Sequence, residues 1–185
     1  VDPVDPVDIT ELTDEIKAMA ARHRIAIVAI AGPPGSGKST FAAALAKRIG
    51  PSCCTIPMDG FHLDNTTLIA RGLLSVKGAP ETFDREGFDQ LIDGLNDGSA
   101  QLFPTLERGL GSVLEDGGSV PAGVSLLLFE GNYLLFDEPG WADIAQKWDA
   151  SIWLEVPEDV LTQRLVRRWL DQGMSEADAT ERAQM

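Results

Sequence analysis

The chain has 185 residues, of which 44% are hydrophobic, a length and composition typical of one domain with a buried core rather than of a disordered protein. Its formal net charge of −14 argues against partners such as nucleic acid or an anionic membrane. No apolar run approaches the roughly 20 residues that span a bilayer, and the acidic start is unlike a secretory signal, so we expect a cytoplasmic protein.

The chain opens with a tail and a first helix. Residues 1–9 include the repeat VDPVDPVD, whose prolines predict a flexible or extended tail. Residues 10–185 are predicted to form a single domain, which begins with a helix over residues 10–22.

A phosphate-binding loop follows the first predicted strand. The apolar run at 25–31 precedes GPPGSGKST, which fits the P-loop (Walker A) pattern, and a helix-prone run follows. Backbone N–H groups of such a loop surround a phosphate, the lysine reaches the terminal phosphates and the first hydroxyl binds Mg²⁺. We therefore expect nucleotide binding by Gly32, Pro33, Pro34, Gly35, Ser36, Gly37, Lys38, Ser39 and Thr40. The alternative is a glycine-rich turn with a chance lysine.

The middle of the chain alternates between strands and helices. We predict a strand at 53–58 that ends before Asp59 and contains Cys53 and Cys54, which fit neither a disulfide framework nor a zinc site. A helix over 64–71, a loop over 72–83 and a helix over 84–95 follow. Residues 101–106 are predicted as a short strand and the glycine-rich, acidic residues 115–123 as a surface turn.

The last third continues the alternation. A buried strand is predicted at 124–129, directly before Glu130, and a helix follows near 142–147. After a strand at 150–156, Pro157 takes the first position of a helix that runs over 158–172, and Ser175 starts a final helix.

This order of elements predicts an α/β fold. Near-continuous apolar strands that alternate with helices indicate a parallel sheet with helices on both faces, a three-layer α/β/α arrangement of the P-loop NTPase type, with a helical lid around 158–182. Ligands of such folds bind at the carboxyl ends of strands, where the P-loop, Asp59 and Glu130 all lie.

Asp59 is the candidate catalytic base. A carboxylate near an acceptor hydroxyl can take its proton during phosphoryl transfer. A role in Mg²⁺ binding through water, or a structural role in an Asp-Gly turn, is the alternative.

Three nearby polar residues are candidates for the same cleft. Glu130 ends four apolar residues as a Walker B acid does, and it could orient Mg²⁺ or its waters. Asn132 could contact an acceptor or simply form a turn. His62 is either a substrate contact or a structural histidine.

The predicted helix after Pro157 carries a stripe of arginines. Arg164, Arg167 and Arg168 share one face, which indicates a lid that neutralises the transferring phosphoryl group, or else a solvated face paired with nearby acids. Arg85 and Arg108 are isolated and each is either a substrate contact or a surface residue.

The motifs GPPGSGKST, MDGFHLDN, LLLFEGNYLLFDEPGW and RLVRRWL, with KGAPETFD between the second and third, resemble a known group of P-loop kinases. The group contains uridine kinase, phosphoribulokinase and bacterial pantothenate kinase, and the most similar branch carries the label fructose transport system kinase or fructokinase. The resemblance extends over residues 25–185.

The resemblance implies phosphorylation of a small-molecule hydroxyl by ATP with Mg²⁺. It implies Asp59 as the base, Lys38 and Ser39 on phosphate and Mg²⁺, Glu130 as the Walker B-like acid, and Arg164 and Arg168 in the lid. Arg108 matches a position where relatives carry an aromatic–Asp–Arg triplet, but Leu106 and Glu107 replace its first two residues.

The function that the sequence favours is therefore a small-molecule kinase, a phosphotransferase with an alcohol acceptor such as a sugar. A nucleoside or pantothenate kinase, and a P-loop NTPase or switch module without an acceptor, are the alternatives. No NKxD motif occurs, and neither DxxG sequence follows an apolar strand, which disfavours a GTPase switch.

Overall fold

The computed structural model describes residues 8–107 and 112–183. Its main sheet has four parallel strands, in the order β2-β5-β1-β6. The strands are β1 (Ala26–Ala31), β2 (Cys53–Pro57), β5 (Leu126–Gly131) and β6 (Ala150–Trp153). Every residue of β1 and β5 is buried, which explains why both read as continuous apolar runs rather than alternating ones.

Helices cover both faces of this sheet, so the predicted three-layer α/β/α fold is confirmed. On one face, Val28 and Leu128 pack against α1 (Ile9–Ala20) and α2 (Lys38–Ile49). On the other face, Ile27 and Phe129 pack in a cluster with α4 (Arg85–Asp97) and α5 (Trp141–Ala145).

The remaining helices follow β2 and β6 in the chain. They are α3 (Asn65–Ala70), α6 (Glu158–Asp171) and α7 (Glu176–Ala183), and a short 3₁₀ turn, Met58–Phe61, carries Asp59. Helix α1 begins at Ile9, with Asp8 as its cap, so residue 9 belongs to the helix rather than to the predicted tail. Residues 1–7 of that tail lie outside the described residues.

The prediction of a surface turn at 115–123 is wrong for residues 115–119, which belong to a strand, whereas residues 122–123 do form a turn. Strand β4 (Ser112–Ser119) pairs antiparallel with β3 (Leu102–Glu107) in a separate two-stranded sheet. Gly117 and Gly118 lie within β4, where added side chains would collide with Thr105 and the ring of Phe103. These glycines therefore allow close packing across the hairpin, whereas the sequence pattern suggested a turn.

Pro157 also differs from its prediction. It precedes the first turn of α6 as the capping residue, with extended backbone angles (φ −54°, ψ 141°), rather than occupying the first helical position. Within the described residues, no helix is both long and apolar enough to cross a membrane.

Candidate active site

The loop between β1 and α2 has the geometry of a phosphate cradle. Gly37 takes the left-handed conformation (φ 93°, ψ 20°) as the residue that caps α2, a conformation that a side chain would strain. The chain thereby passes directly from a buried strand into the first turn of a helix, whose N–H groups point toward the loop. The strand–loop–helix order predicted from the sequence is confirmed.

Lys38 lies inside this loop and is only 8% exposed. Its Nζ donates hydrogen bonds to the carbonyl oxygens of Gly32 (2.9 Å) and Pro33 (3.0 Å). Burial lowers the pKa of Lys38, while the charges of Glu130 and Asp59 oppose that shift and the charge of Arg168 adds to it. The ammonium group of Lys38 is thus buried near three charged side chains that were singled out from the sequence, those of Glu130, Asp59 and Arg168.

Ser39 joins the P-loop helix to the end of β5. Its Oγ donates a 2.8 Å hydrogen bond to Oε1 of Glu130, a carboxylate that is only 6% exposed. Glu130 pairs in register with Ile30 of β1 and Pro57 of β2, so it lies level with the carboxyl ends of both neighbouring strands. A serine hydroxyl and a carboxylate oxygen are ligands that suit Mg²⁺, so these two residues fit the ion that the sequence implies.

No cluster of three or more His, Cys, Asp or Glu side chains with metal-ligand geometry occurs among residues 8–107 and 112–183. A P-loop Mg²⁺ site does not require one, because phosphate oxygens and waters supply most of its ligands. The fit of the ion therefore rests on the Ser39–Glu130 pair.

Asp59 follows β2 in the 3₁₀ turn, next to a buried glycine. A side chain at Gly60 would meet the carbonyl of Pro104 in β3 at 2.1 Å, so the β3–β4 hairpin packs directly on this turn. The Asp-Gly pair therefore serves close packing as well as chain reversal. The charge of Asp59 acts to raise the pKa of both Lys38 and His62, so its carboxylate lies near both side chains.

His62 stacks on Phe83, with ring centroids 4.1 Å apart. Burial lowers the pKa of His62, and the charge of Lys77 lowers it further, while Asp59 raises it. Its Nδ1 is buried without a hydrogen-bond partner in the part of the chain that the structure describes. The neutral ring is therefore favoured, with its Nδ1 enclosed in the protein.

Helix α6 contacts the P-loop directly. Nη1 of Arg164 donates to the carbonyl oxygens of Gly35 (3.1 Å) and Ser36 (3.4 Å). A side chain at Gly35 would lie 3.3 Å from Leu165, so the apolar face of α6 reaches the loop as well as the arginine face. Both Arg164 and Leu165 of α6 thus meet the P-loop.

Helix α7 holds the far end of α6. The guanidinium of Arg182 lies 4.6 Å from the ring centre of Trp169, and the guanidinium of Arg168 lies 5.3 Å from it. Such cation–π contacts orient long arginine side chains. Arg168 is thus held next to Trp169 while its charge acts on Lys38.

The structure brings most of the sequence-predicted residues together. Lys38, Ser39 and Glu130 are linked by hydrogen bonds or by charge, and Asn132 follows β5 two residues after Glu130. Arg167 is exposed and makes no side-chain hydrogen bond or ion pair with the described residues. Arg108 lies outside the described residues.

Other residues near the site were not singled out from the sequence. Tyr133 Oη donates to the carbonyl of Gly78 (2.6 Å) and ties the end of β5 to the segment before Phe83. Arg71, Glu138 and Trp141 line a cavity with Phe83. Phe83 lies within the motif KGAPETFD, and Tyr133, Glu138 and Trp141 lie within LLLFEGNYLLFDEPGW, but only the fold brings them together with Arg71.

Comparison with known proteins identifies relatives over most of the chain. Residues 28–184 match the family described as "AAA domain". The chain is 36% identical to "Uncharacterized protein YggC" of Escherichia coli (strain K12) over 83% of its own length, and it spans 65% of the length of that relative. It is 34% identical to "Putative uridine kinase C227.14" of Schizosaccharomyces pombe, with 98% of this chain and 83% of the relative covered.

A solved structure is also similar, that of a protein described as a putative fructose transport system kinase from Silicibacter sp. TM1040. It has a TM-score of 0.91 and 41% identity, with 97% of this chain and 89% of that chain covered. The chain belongs to the AAA-domain family of P-loop proteins, and its relatives include proteins named as kinases.

Proposed function

We propose that this member of the P-loop family is an ATP-dependent kinase that transfers the γ-phosphate to a hydroxyl group of a small molecule. The observation that carries the proposal is the convergence of a buried Lys38, the Ser39–Glu130 pair and Asp59 at the carboxyl ends of three adjacent strands. A nucleotide-binding switch needs the first two features but has no need of a carboxylate for an acceptor hydroxyl.

In the proposed reaction, the P-loop N–H groups and Lys38 hold the phosphates of ATP. Lys38 exchanges its hydrogen bonds to the carbonyls of Gly32 and Pro33 for bonds to phosphate oxygens. Ser39 and Glu130 would hold Mg²⁺ or its waters, and a bound ion would supply positive charge to the phosphates.

Asp59 acts on the acceptor. Its carboxylate takes the proton of the acceptor hydroxyl as the oxygen forms its bond to the γ-phosphorus, and the bond from that phosphorus to the β–γ bridging oxygen breaks to release ADP. The guanidinium groups of Arg164 and Arg168 add positive charge beside the phosphates. In a chain with a net charge of −14, these groups supply a local field opposite to the overall one.

The partners in this proposal are ATP with Mg²⁺ and a small hydroxylated acceptor, and neither nucleic acid nor a membrane takes part. A sugar, a nucleoside and pantothenate are the acceptor types to compare. A cytoplasmic location stays a prediction from the sequence.

An acceptor screen tests the proposal. ADP formation is measured with Mg-ATP alone and with each of D-fructose, D-ribose, uridine, D-glycerate and pantothenate. The proposal requires that at least one acceptor raises turnover well above the ATP-only rate. Equal turnover with and without every acceptor supports the NTPase alternative instead.

A further inference from the structure

A cavity of about 740 Å³ lies beside the candidate active site, within the size range of small-molecule pockets. None of the P-loop residues lines it. Its walls come from the segments that follow β2 and β5, the two strands that lead to Asp59 and Glu130. The cavity therefore contains no P-loop residue, but its walls follow the same two strands that lead to Asp59 and Glu130.

Backbone and ring contacts connect the cavity to the Asp59 turn. Leu63 and Phe83 line the cavity, and the segment around Phe83 is bound to the segment after Asp59 by two backbone hydrogen bonds, Leu63 N to Thr82 O (2.9 Å) and Asp84 N to Phe61 O (2.7 Å). His62, whose ring stacks on Phe83, donates its backbone N–H to the carbonyl of Asp59 (3.3 Å). One wall of the cavity is thus bonded to the turn that carries the proposed base, although Asp59 itself is not among the lining residues.

One wall of the cavity is aromatic and held rigidly. Phe83 and Trp141 are 6% and 4% exposed, and their rings meet edge to face at 6.4 Å. Tyr133 packs against both rings and against Phe136, which lines the same cavity. The exposed edges of these rings and the more exposed Phe136 give the cavity an apolar wall, which suits the C–H face of a sugar ring or a planar base.

The polar groups of the cavity include an arginine in a prepared position. The guanidinium of Arg85 lies over the backbone of Gly140, where any side chain would collide with it, and Gly140 takes a positive φ of 89°. Arg85 is half-buried and makes no side-chain hydrogen bond or ion pair with the residues at 8–107 and 112–183. Its five N–H donors are therefore available to a ligand.

Carboxylates outnumber guanidinium groups around the cavity. The two arginines, Arg71 and Arg85, stand against four acids, which gives a formal charge of −2. The acids are Glu81, Asp84, Glu86 and Glu138. A carboxylate or phosphate ligand would be repelled by this set, whereas neighbouring hydroxyl groups can donate to the acids and accept from the arginines.

We propose that this cavity binds the acceptor and selects an uncharged, polyhydroxylated molecule, such as a sugar or a nucleoside, over an acceptor that carries a carboxylate. The inference rests on the proposed kinase function and adds to it the class of the acceptor and the residues that recognise it. Arg85 and Glu138 hold the hydroxyl groups, and Phe83 and Trp141 hold the ring.

The first test compares acceptor classes at equal concentration with the full chain and Mg-ATP. We expect kcat/KM for the best of D-fructose, D-ribose and uridine to exceed that for D-glycerate and pantothenate by at least tenfold. Acceptor-dependent turnover that favours a carboxylate overturns the inference and leaves the kinase proposal intact.

The second test uses Arg85→Met with Arg48→Met as a matched control, since Arg48 is exposed at the end of α2 on the opposite face of the sheet. The expected result is a rise of about tenfold in the KM for the acceptor with Arg85→Met, with the KM for ATP unchanged. Equal acceptor KM values in the two variants overturn the assignment of the cavity.

A binding measurement separates the two proposals. Tryptophan fluorescence is titrated with D-fructose, D-ribose, uridine and D-glycerate in the wild-type protein and in Trp141→Phe. A change with a neutral probe that is lost in Trp141→Phe supports the cavity even where no acceptor-dependent turnover occurs, and that combination rejects only the kinase proposal. A response to D-glycerate alone, or to none of the probes, overturns the inference.

Discussion

The hydroxyl of Ser39 donates a 2.8 Å hydrogen bond to Oε1 of Glu130, across 91 positions of sequence. This bond joins the first turn of the P-loop helix to the carboxyl end of the adjacent parallel strand. It places a hydroxyl and a buried carboxylate side by side, next to the buried ammonium of Lys38.

The first prediction concerns Glu130→Gln, which keeps the shape of the side chain and removes its charge. Loss of a preorganised charge in a buried site costs about 10²–10³ in kcat, and here we also expect a higher Mg²⁺ concentration for half-maximal activity. The measurement is ADP formation against Mg²⁺ concentration. Glu15→Gln, on an exposed position of α1, is the control, and a Mg²⁺ dependence equal in the two variants would argue against the role of Glu130.

The second prediction compares Arg164→Met with Arg167→Met on the same helix. Arg164 bonds to two P-loop carbonyls, and hydrogen bonds of a charged group contribute about 1.5–3 kcal/mol, which corresponds to a loss of about tenfold to a hundredfold in kcat/KM. Arg167 makes no side-chain hydrogen bond with the described residues, so its replacement should change kcat/KM least. Equal losses in both variants would show that the arginine stripe acts through general charge rather than through this contact.

The third prediction is a pH dependence of stability that arises from His62. Burial lowers the pKa of His62 below its usual 6.5, so the folded state stays neutral where the unfolded chain takes up a proton. The unfolded state then binds more protons, and the free energy of unfolding falls as the pH drops below about 6.5.

Urea unfolding of the wild type and His62→Gln between pH 5 and pH 8 measures this effect. The variant should lose less stability than the wild type toward low pH. A wild-type curve that is parallel to the variant curve would mean that His62 does not contribute. His23, which pairs with Asp149 at 3.2 Å, is present in both proteins and cancels in the comparison.

The parts of the fold that follow from local pattern could be predicted from the sequence. Strands β1 and β5 are unbroken apolar runs, and the P-loop carries its own motif between a strand and a helix. Because parallel strands end at the same edge, the sequence predicts that Glu130 and the P-loop share that edge, and the observed position of β5 beside β1 brings Glu130 to Ser39.

The parts that depend on distant contacts could not be predicted in this way. Gly117 and Gly118 suggest a turn in isolation, and only the rings and hydroxyls of β3 show why a strand needs glycine there. Likewise, Arg85 was an isolated arginine in the sequence, because Gly140, which makes room for it, lies 55 residues away.

The most direct test of the account is phosphoryl transfer by Asp59→Asn. The phosphorylated acceptor found in the screen is quantified by ³¹P NMR, and ATP affinity is measured by calorimetry, with the exposed Asp14→Asn as the control. General-base catalysis contributes about 10²–10⁴ in rate, so we predict a loss of at least about a hundredfold in product with ATP affinity nearly unchanged. Near-normal transfer by Asp59→Asn would contradict the account.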